Sequence, residues 1–232
     1  MQRAFMALAV VLFAGIFAGI VIDYSERQSL PQVAASYVKL VPQELGAPNI
    51  ITGILLSYRG FDTLGEVAVL FMVAAGVGLV LGKRNLQPRE AGSSESKEAI
   101  ASSEIVQTGS AILLPLIAIF AAYIIMNGHL SAGGGFQGGA IIASGVMLLL
   151  LARPEIGLDH DFLGTTESLA GVLYVLTGIA GLVFAGGFLD SRMLPLGQFG
   201  AFFSAGAIPV ISVLLGVKVG CELSVVIDRF RG

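Results

Sequence analysis

The chain has 232 residues, of which 55% are hydrophobic and only 12% charged, with a mean hydropathy of +0.87. A soluble domain carries about 25% charged residues, so the composition excludes an ordinary water-soluble fold and points to an integral membrane protein. The net charge of -3 argues against nucleic acid as a partner, and the single cysteine, Cys221, excludes an internal disulfide or a Cys₄ centre built by this chain alone.

The first apolar run covers residues 3–22. It is longer than the roughly 7–15 residue apolar core of a signal peptide, and Asp23-Tyr24-Ser25 is a poor cleavage site, so a retained transmembrane helix is expected. Residues 23–48 are polar and hold Pro31, Pro42 and Pro48. Within them, 30–44 suits a short helix lying on the surface. The apolar part of 49–60 is too short to span, so a short interfacial or re-entrant helix is expected, with Asn49 as its N-cap. Residues 61–82, FDTLGEVAVLFMVAAGVGLVLG, can cross a hydrocarbon layer of roughly 30 Å at about 1.5 Å per residue. The sequence then changes character. The charged, Ser-rich stretch 83–104 reads as a linker, 85–104, joining an N-terminal module, 1–84, to a C-terminal one, 105–232.

Four apolar runs follow. Residues 105–126 span easily, with Pro115 as an expected kink. Residues 136–152 are barely long enough, and 166–188 are Gly-rich. Residues 199–227 exceed one membrane thickness, with Pro209 in the middle, and are expected to extend into the cytoplasm. The expected fold is therefore an all-α integral membrane protein with about six transmembrane helices, two in the first module and four in the second. An even count puts both termini on one side. With the N-terminus inside, inner segments hold eight Lys or Arg and outer ones four, which favours cytoplasmic termini in a multi-pass protein of a prokaryotic cell membrane.

Charged groups inside these runs are the candidates for chemistry. Asp62 and Glu66 stand at i and i+4, on one helix face. Glu66 lies a turn deeper, where an unpaired charge costs several kcal/mol, so it should be neutral, paired or beside water. An ion-path role and a purely structural hydrogen bond both stand. Arg59 is either their counter-charge or a side chain snorkelling to the headgroups. Lys218 and Glu222 repeat the i, i+4 spacing. Counted from Phe199, Lys218 falls roughly 28 Å along the last run, near its exit from hydrocarbon, so snorkelling competes with an ion-path pair. Cys221 beside them reads as a packing residue. Glu104 and Glu167 are expected at helix starts, where a carboxylate suits the positive end of the dipole.

Residues 128–139 read GHLSAGGGFQGG. The loop lacks the Lys-Ser/Thr of a phosphate-binding loop. Gly133, Gly134, Gly135, Gly138 and Gly139 instead suit a tight turn with close backbone approach, and Gly135 with Gly139 makes a GxxxG pair fit for helix contact. His129 beside the turn is either a proton-loading group or a surface or capping histidine. His160 falls on the opposite side of the membrane, so the two cannot share a metal.

The stretch ITGILLSYRGFDTLGEVAVLF, with DTLGE at 62–66 as its specific part, resembles the MbhE-type domain of Mrp-linked membrane-bound hydrogenases and of the large subunit of Mrp antiporters. The second half, with NGHLSAGGGFQGGAII at 127–142 and GVKVGCELS at 216–224, resembles the MnhB family, the B subunit of Mrp-type Na⁺/H⁺ antiporters. The resemblance implies an accessory subunit of a multisubunit ion-translocating complex, with other antiporter-type membrane subunits as partners and Na⁺ or H⁺ as the transported ion. It makes Glu66, as the acidic member of DTLGE, the first site candidate and Asp62 the second. A separate chain fusing the two modules leaves two hosts open: an antiporter, or a redox-driven relative with hydrogenase-type or reductase-type peripheral subunits. No catalytic centre, metal site or cofactor is expected in this chain.

Overall fold

The computed structural model describes residues 2–25, 28–85 and 103–231. The expected linker, 85–104, falls almost wholly outside them. Eight α-helices are described: α1 (Gln2–Ile22), α2 (Gln32–Leu40), α3 (Ile50–Gly53), α4 (Gly60–Asn85), α5 (Glu104–Met126), α6 (Gly135–Ala152), α7 (His160–Phe184) and α8 (Ile208–Arg231). No strand is found among the described residues. Six of these helices are long and apolar enough to cross a membrane: α1, α4, α5, α6, α7 and α8. The chain forms two compact units, 1–36 and 37–232.

Local chemistry explains most boundaries. Ser103 caps α5 by accepting from the Val106 amide, and Glu104 follows in the first turn as expected. Asp159 caps α7 by accepting from the Phe162 amide at 2.9 Å. Asn49 is the N-cap of α3, which runs on through a π-helical turn, Ile54–Tyr58, to Arg59. A second such turn, Val41–Leu45, ends α2 at Gly46, whose φ is 64°.

Two runs begin elsewhere than the sequence suggested. α7 starts at His160 rather than at 166. The long run 199–227 is not one helix, because 198–207 is folded into turns and α8 starts only at Ile208. The physical reason lies in the chain's punctuation. Gly197, Gly200, Ala205 and Gly206 all hold positive φ, which no α-helix accepts. Pro209 then occupies the first turn, where its missing N–H costs nothing.

The second unit is organised around α8, which packs on α4, α6 and α7. In a bilayer, lipid tails are as apolar as leucine, so helices associate through close packing rather than hydrophobic drive. Small residues make that approach possible. A Cβ on Gly135 would lie 2.5 Å from the Ser212 carbonyl oxygen and 2.6 Å from Leu215 Cβ, and one on Gly139 would lie 2.8 Å from Val219 Cβ. Gly138 makes the matching approach to Ile125 of α5. Gly134, with φ at 149°, turns the chain into α6. A core of Val41, Leu45, Leu56, Val67, Tyr174, Leu189, Ile208, Ile211 and Leu215 joins the 41–58 segment, the start of α4 and the 185–207 turns at one end of the bundle.

Replacing Gly135 by Val forces α6 and α8 apart and lowers the stability of the detergent-solubilised chain by about 1–3 kcal/mol. Gly164→Ala on α7, where nothing stands within 4 Å of the new Cβ, leaves it unchanged or slightly raised. Thermal unfolding of the two variants checks both outcomes.

Candidate functional site

Lys218 lies ten residues into α8, about 15 Å from its start and near mid-span. The expectation that it snorkels to an interface fails for that reason: the helix starts at Ile208, not Phe199. Glu222 follows one turn later on the same face. Glu167 lies seven residues into α7, about 10 Å from that helix's start, so it is not the helix-start residue the sequence suggested. The Lys218 ammonium donates to Glu167 Oε1 at 2.9 Å and to Glu222 Oε2 at 2.9 Å. The Lys218 and Glu222 side chains are 8% and 0% exposed. The lysine stem crosses Gly171, where a Cβ would lie 3.6 Å from Lys218 Cε. Its ammonium stands 5.8 Å from the centre of the Phe71 ring of α4.

One ammonium between two carboxylates leaves one negative charge in excess, which a low-dielectric surround penalises. Glu222 Oε1 has no hydrogen-bond partner among the described residues. The triad also opens onto a cavity of about 460 Å³ between α4 and α7, walled by Val67, Phe71, Glu167, Gly171, Tyr174 and Lys218.

Glu66 lies elsewhere on α4. It borders a second cavity of about 230 Å³ together with Thr63, Gln137, Leu215 and the Gly133–Gly135 turn. Among the described residues it makes no ion pair and no side-chain hydrogen bond, and it is exposed on this chain's surface. Asp62, one turn earlier, is paired with Arg59. Arg59 is thus a counter-charge, and of Asp62 rather than Glu66. Both side chains are about half exposed, so the pair adds little stability.

His129 sits between α5 and α6 and is fully buried, so the surface placement is wrong. Its Nε2–H donates to the Phe202 carbonyl at 3.1 Å, while Nδ1 is buried without a partner among the described residues. Burial pushes its pKa down and outweighs the backbone carbonyls around it, so the ring is held neutral. The same loop is clamped from below. Asn49 Nδ2 donates to the carbonyls of Gly128 and Ser131 at 2.8 and 2.7 Å, and the His129 carbonyl accepts from the Asn49 amide at 3.0 Å. His160, at the start of α7 on the opposite face, pairs with Asp228 at 2.8 Å. Cys221 is partly buried within α8.

The structure therefore brings Lys218 and Glu222 together, adds Glu167, and leaves Glu66, Asp62 and His129 in separate surroundings. Glu167 was missed as a partner of Lys218. The signal available was a carboxylate inside the apolar run 166–188.

Comparison with known proteins gives this arrangement its context. Residues 105–225 match the family described as a domain related to the MnhB subunit of Na⁺/H⁺ antiporters. The chain belongs to that family. Residues 2–98 match the MbhE family of MBH subunits, so the two modules occur in the expected order. An uncharacterized protein of Methanocaldococcus jannaschii is 31% identical over 76% of this MnhB-family chain and 74% of its own. A chain in the structure of the membrane-bound sulfane sulfur reductase, an archaeal respiratory membrane complex, matches with a TM-score of 0.79 at 36% identity, covering 99% of this chain and 98% of that one. A chain of the Mrp complex from Dietzia sp. DQ12-45-1b matches with a TM-score of 0.78 at 25% identity, covering all of this chain but only 26% of that one.

Two outcomes follow. Lys218→Met strands the buried Glu222 and the partly buried Glu167 and lowers stability by about 3 kcal/mol. Adding Glu167→Gln and Glu222→Gln recovers most of it, as thermal unfolding in detergent would record. His129, with its folded pKa below the ordinary 6.5, contributes stability that is present above pH 6.5 and lost as the pH falls through the folded value, because only the unfolded chain takes up the proton. Unfolding curves of the wild type and His129→Asn should accordingly diverge in pH dependence below pH 6.5, the variant being flatter.

Proposed function

We propose that this chain is an accessory membrane subunit of a multisubunit Mrp-type cation/proton-translocating module, in which Na⁺ or H⁺ passes Glu66. The observation that carries the reading is Glu66 itself. It is an acidic side chain on a membrane-spanning helix, bordering a cavity that Thr52, Thr63 and Gln137 also line, with no hydrogen bond or ion pair among the described residues. An ionisable group so placed is costly unless water, a transported ion or a neighbouring subunit meets it. The Lys218 triad supplies a second set of ionisable groups, and Asp62 with Arg59 lies toward the headgroups. His129, held neutral, locks the loop that walls the Glu66 cavity. Partner subunits would cover the exposed side of Glu66, and both termini would face the cytoplasm.

A second reading concerns the host. The near-complete mutual coverage with a chain of the sulfane sulfur reductase complex, against a quarter of the Mrp chain, favours a redox-driven complex as the host. Any redox chemistry would then belong to peripheral partners.

The test is Glu66→Gln in the assembled complex, since this change keeps size and hydrogen bonding and removes the titration. Assembly on a native gel should be normal and coupled ion transport in proteoliposomes at least tenfold lower. Normal transport would leave Glu66 a structural group. Mass spectrometry of the co-purified subunits distinguishes the hosts: antiporter-type subunits alone mean a secondary antiporter, and iron–sulfur proteins beside them mean a redox-driven pump.

A further inference from the structure

Glu66 is exposed on this chain's surface although its helix can cross the membrane, and the packing around it leaves a gap. α4 and α6 both lie against α8 but scarcely meet each other. The result is a groove over α8. The cavity of about 230 Å³ stands in it, with Thr63 and Glu66 of α4 on one side, the turn into α6 from Gly133 to Gln137 on the other, and the buried Leu215 of α8 between them. That is room for one long side chain rather than for a helix.

The surroundings say what chemistry fills it. The cavity lies at the start of α6, whose N-cap, Gly134, offers no side-chain cap. The positive end of a helix suits a carboxylate, so Glu66 presents negative charge to whatever covers it. An acyl chain has no donor to answer that charge, and a carboxylate left unanswered in hydrocarbon is costly. α1 brings no donor either, since from Ala4 to Ile22 it holds no polar side chain.

The lips of the groove suit a second helix. On α4, a Cβ at Gly65, beside Glu66, would meet nothing within 4 Å. On α6, Gln137, Ala140 and Ser144 are exposed and share one face at i, i+3 and i+7. The Ser144 hydroxyl is turned back onto its own helix, donating to the Ala140 carbonyl at 2.8 Å, so this face is smooth as well as small. In a bilayer, small residues let another backbone approach closely. Farther along, the exposed faces of the same helices turn bulky, with Met72 on α4 and Met147 and Leu151 on α6.

We propose that a transmembrane helix of another subunit lies along this groove and sends a lysine or arginine into the cavity to pair with Glu66. The inference rests on the reading of this chain as an accessory subunit of a larger membrane complex, and it supplies the partner chemistry at Glu66. Charge complementarity selects the cation, and the small lips select a helix over lipid. An ion that passes Glu66 competes with that cation for the same carboxylate.

The experiment uses the assembled complex in its native membrane. A diazirine side chain is placed at Val69, exposed on α4 one turn beyond Glu66, and the peptide it captures on illumination is sequenced by mass spectrometry. The expected product is an apolar segment of another subunit with a lysine or arginine within about two turns of the attachment. Capture of lipid alone, of a second copy of this chain, or of a segment without such a cation overturns the proposal. Charge exchange gives a second reading. Glu66→Lys should leave thermal unfolding of the isolated chain unchanged, because Glu66 has no partner within it, and should lower the amount of the captured subunit that co-purifies at least tenfold. Changing that subunit's cation to Glu in the same complex should restore it. Full retention of the subunit by Glu66→Lys, or no rescue by the double exchange, overturns the ion pair. Glu66→Gln keeps an acceptor for the cation and so separates the two readings. If the expected helix is captured and Glu66→Gln transports normally, the ion path alone fails. If Glu66→Gln abolishes transport and Val69 captures no such helix, the docking inference alone fails.

Discussion

A lysine in the middle of a bilayer has to be met by acidic groups, and much of the second unit is arranged around that requirement. Lys218 cannot reach an interface from mid-span of α8, so its charge is answered by Glu222 on its own helix and by Glu167 on the next. The answer works only if α7 and α8 lie at one register and close together. The lysine stem passes α7 at Gly171, where an added Cβ would stand in ordinary contact with it at 3.6 Å. A buried ion pair is weak evidence of net stabilisation, since desolvation takes back much of the attraction. Its stronger effect is on specificity: any other register of α7 against α8 leaves a charge unanswered in hydrocarbon.

The same logic of close approach runs through the rest of the bundle. α8 is reached from α6 along a strip of glycines, and the carbonyl of Ser212 and the side chains of Leu215 and Val219 take the room that those glycines leave. At the end of the bundle, the non-helical segment is anchored by a few buried residues. The 185–207 turns hide Leu189, Ala205 and Ala207 completely. His129, kept neutral, ties these turns to the α5–α6 loop. Asn49 ties that loop to α3. The Glu66 cavity is therefore walled by a braced turn rather than by loose chain.

Charge is divided unevenly over this frame. The triad is satisfied within the chain except for one carboxylate oxygen, Asp62 is satisfied by Arg59, and Glu66 is satisfied by nothing among the described residues. That unevenness fits a subunit whose relatives belong to multisubunit membrane complexes. The internal pairs fix which helices meet and at what register, while Glu66 stays exposed on this chain's surface.

The sequence by itself determined the class of fold, the six spans, the N-cap at Asn49, and the small-residue face of α6. These follow from constraints that act locally: a segment must be long enough to cross the hydrocarbon, its backbone must be satisfied by its own helix, and its termini need capping groups. The two-module order was legible as well, because DTLGE and the glycine loop are short contiguous motifs. The start of α8 was not, since the apolar content of 199–207 hides a set of turns anchored by the buried Ala205 and Ala207 and by the bond between the Phe202 carbonyl and His129. Nor were the partners of the charges. Glu167 is 51 residues from Lys218, and Phe202, which fixes His129, is 73 residues away from it. Only the tertiary structure decided those meetings, because they depend on how far each helix is slid and turned against its neighbour, and no local propensity encodes that register.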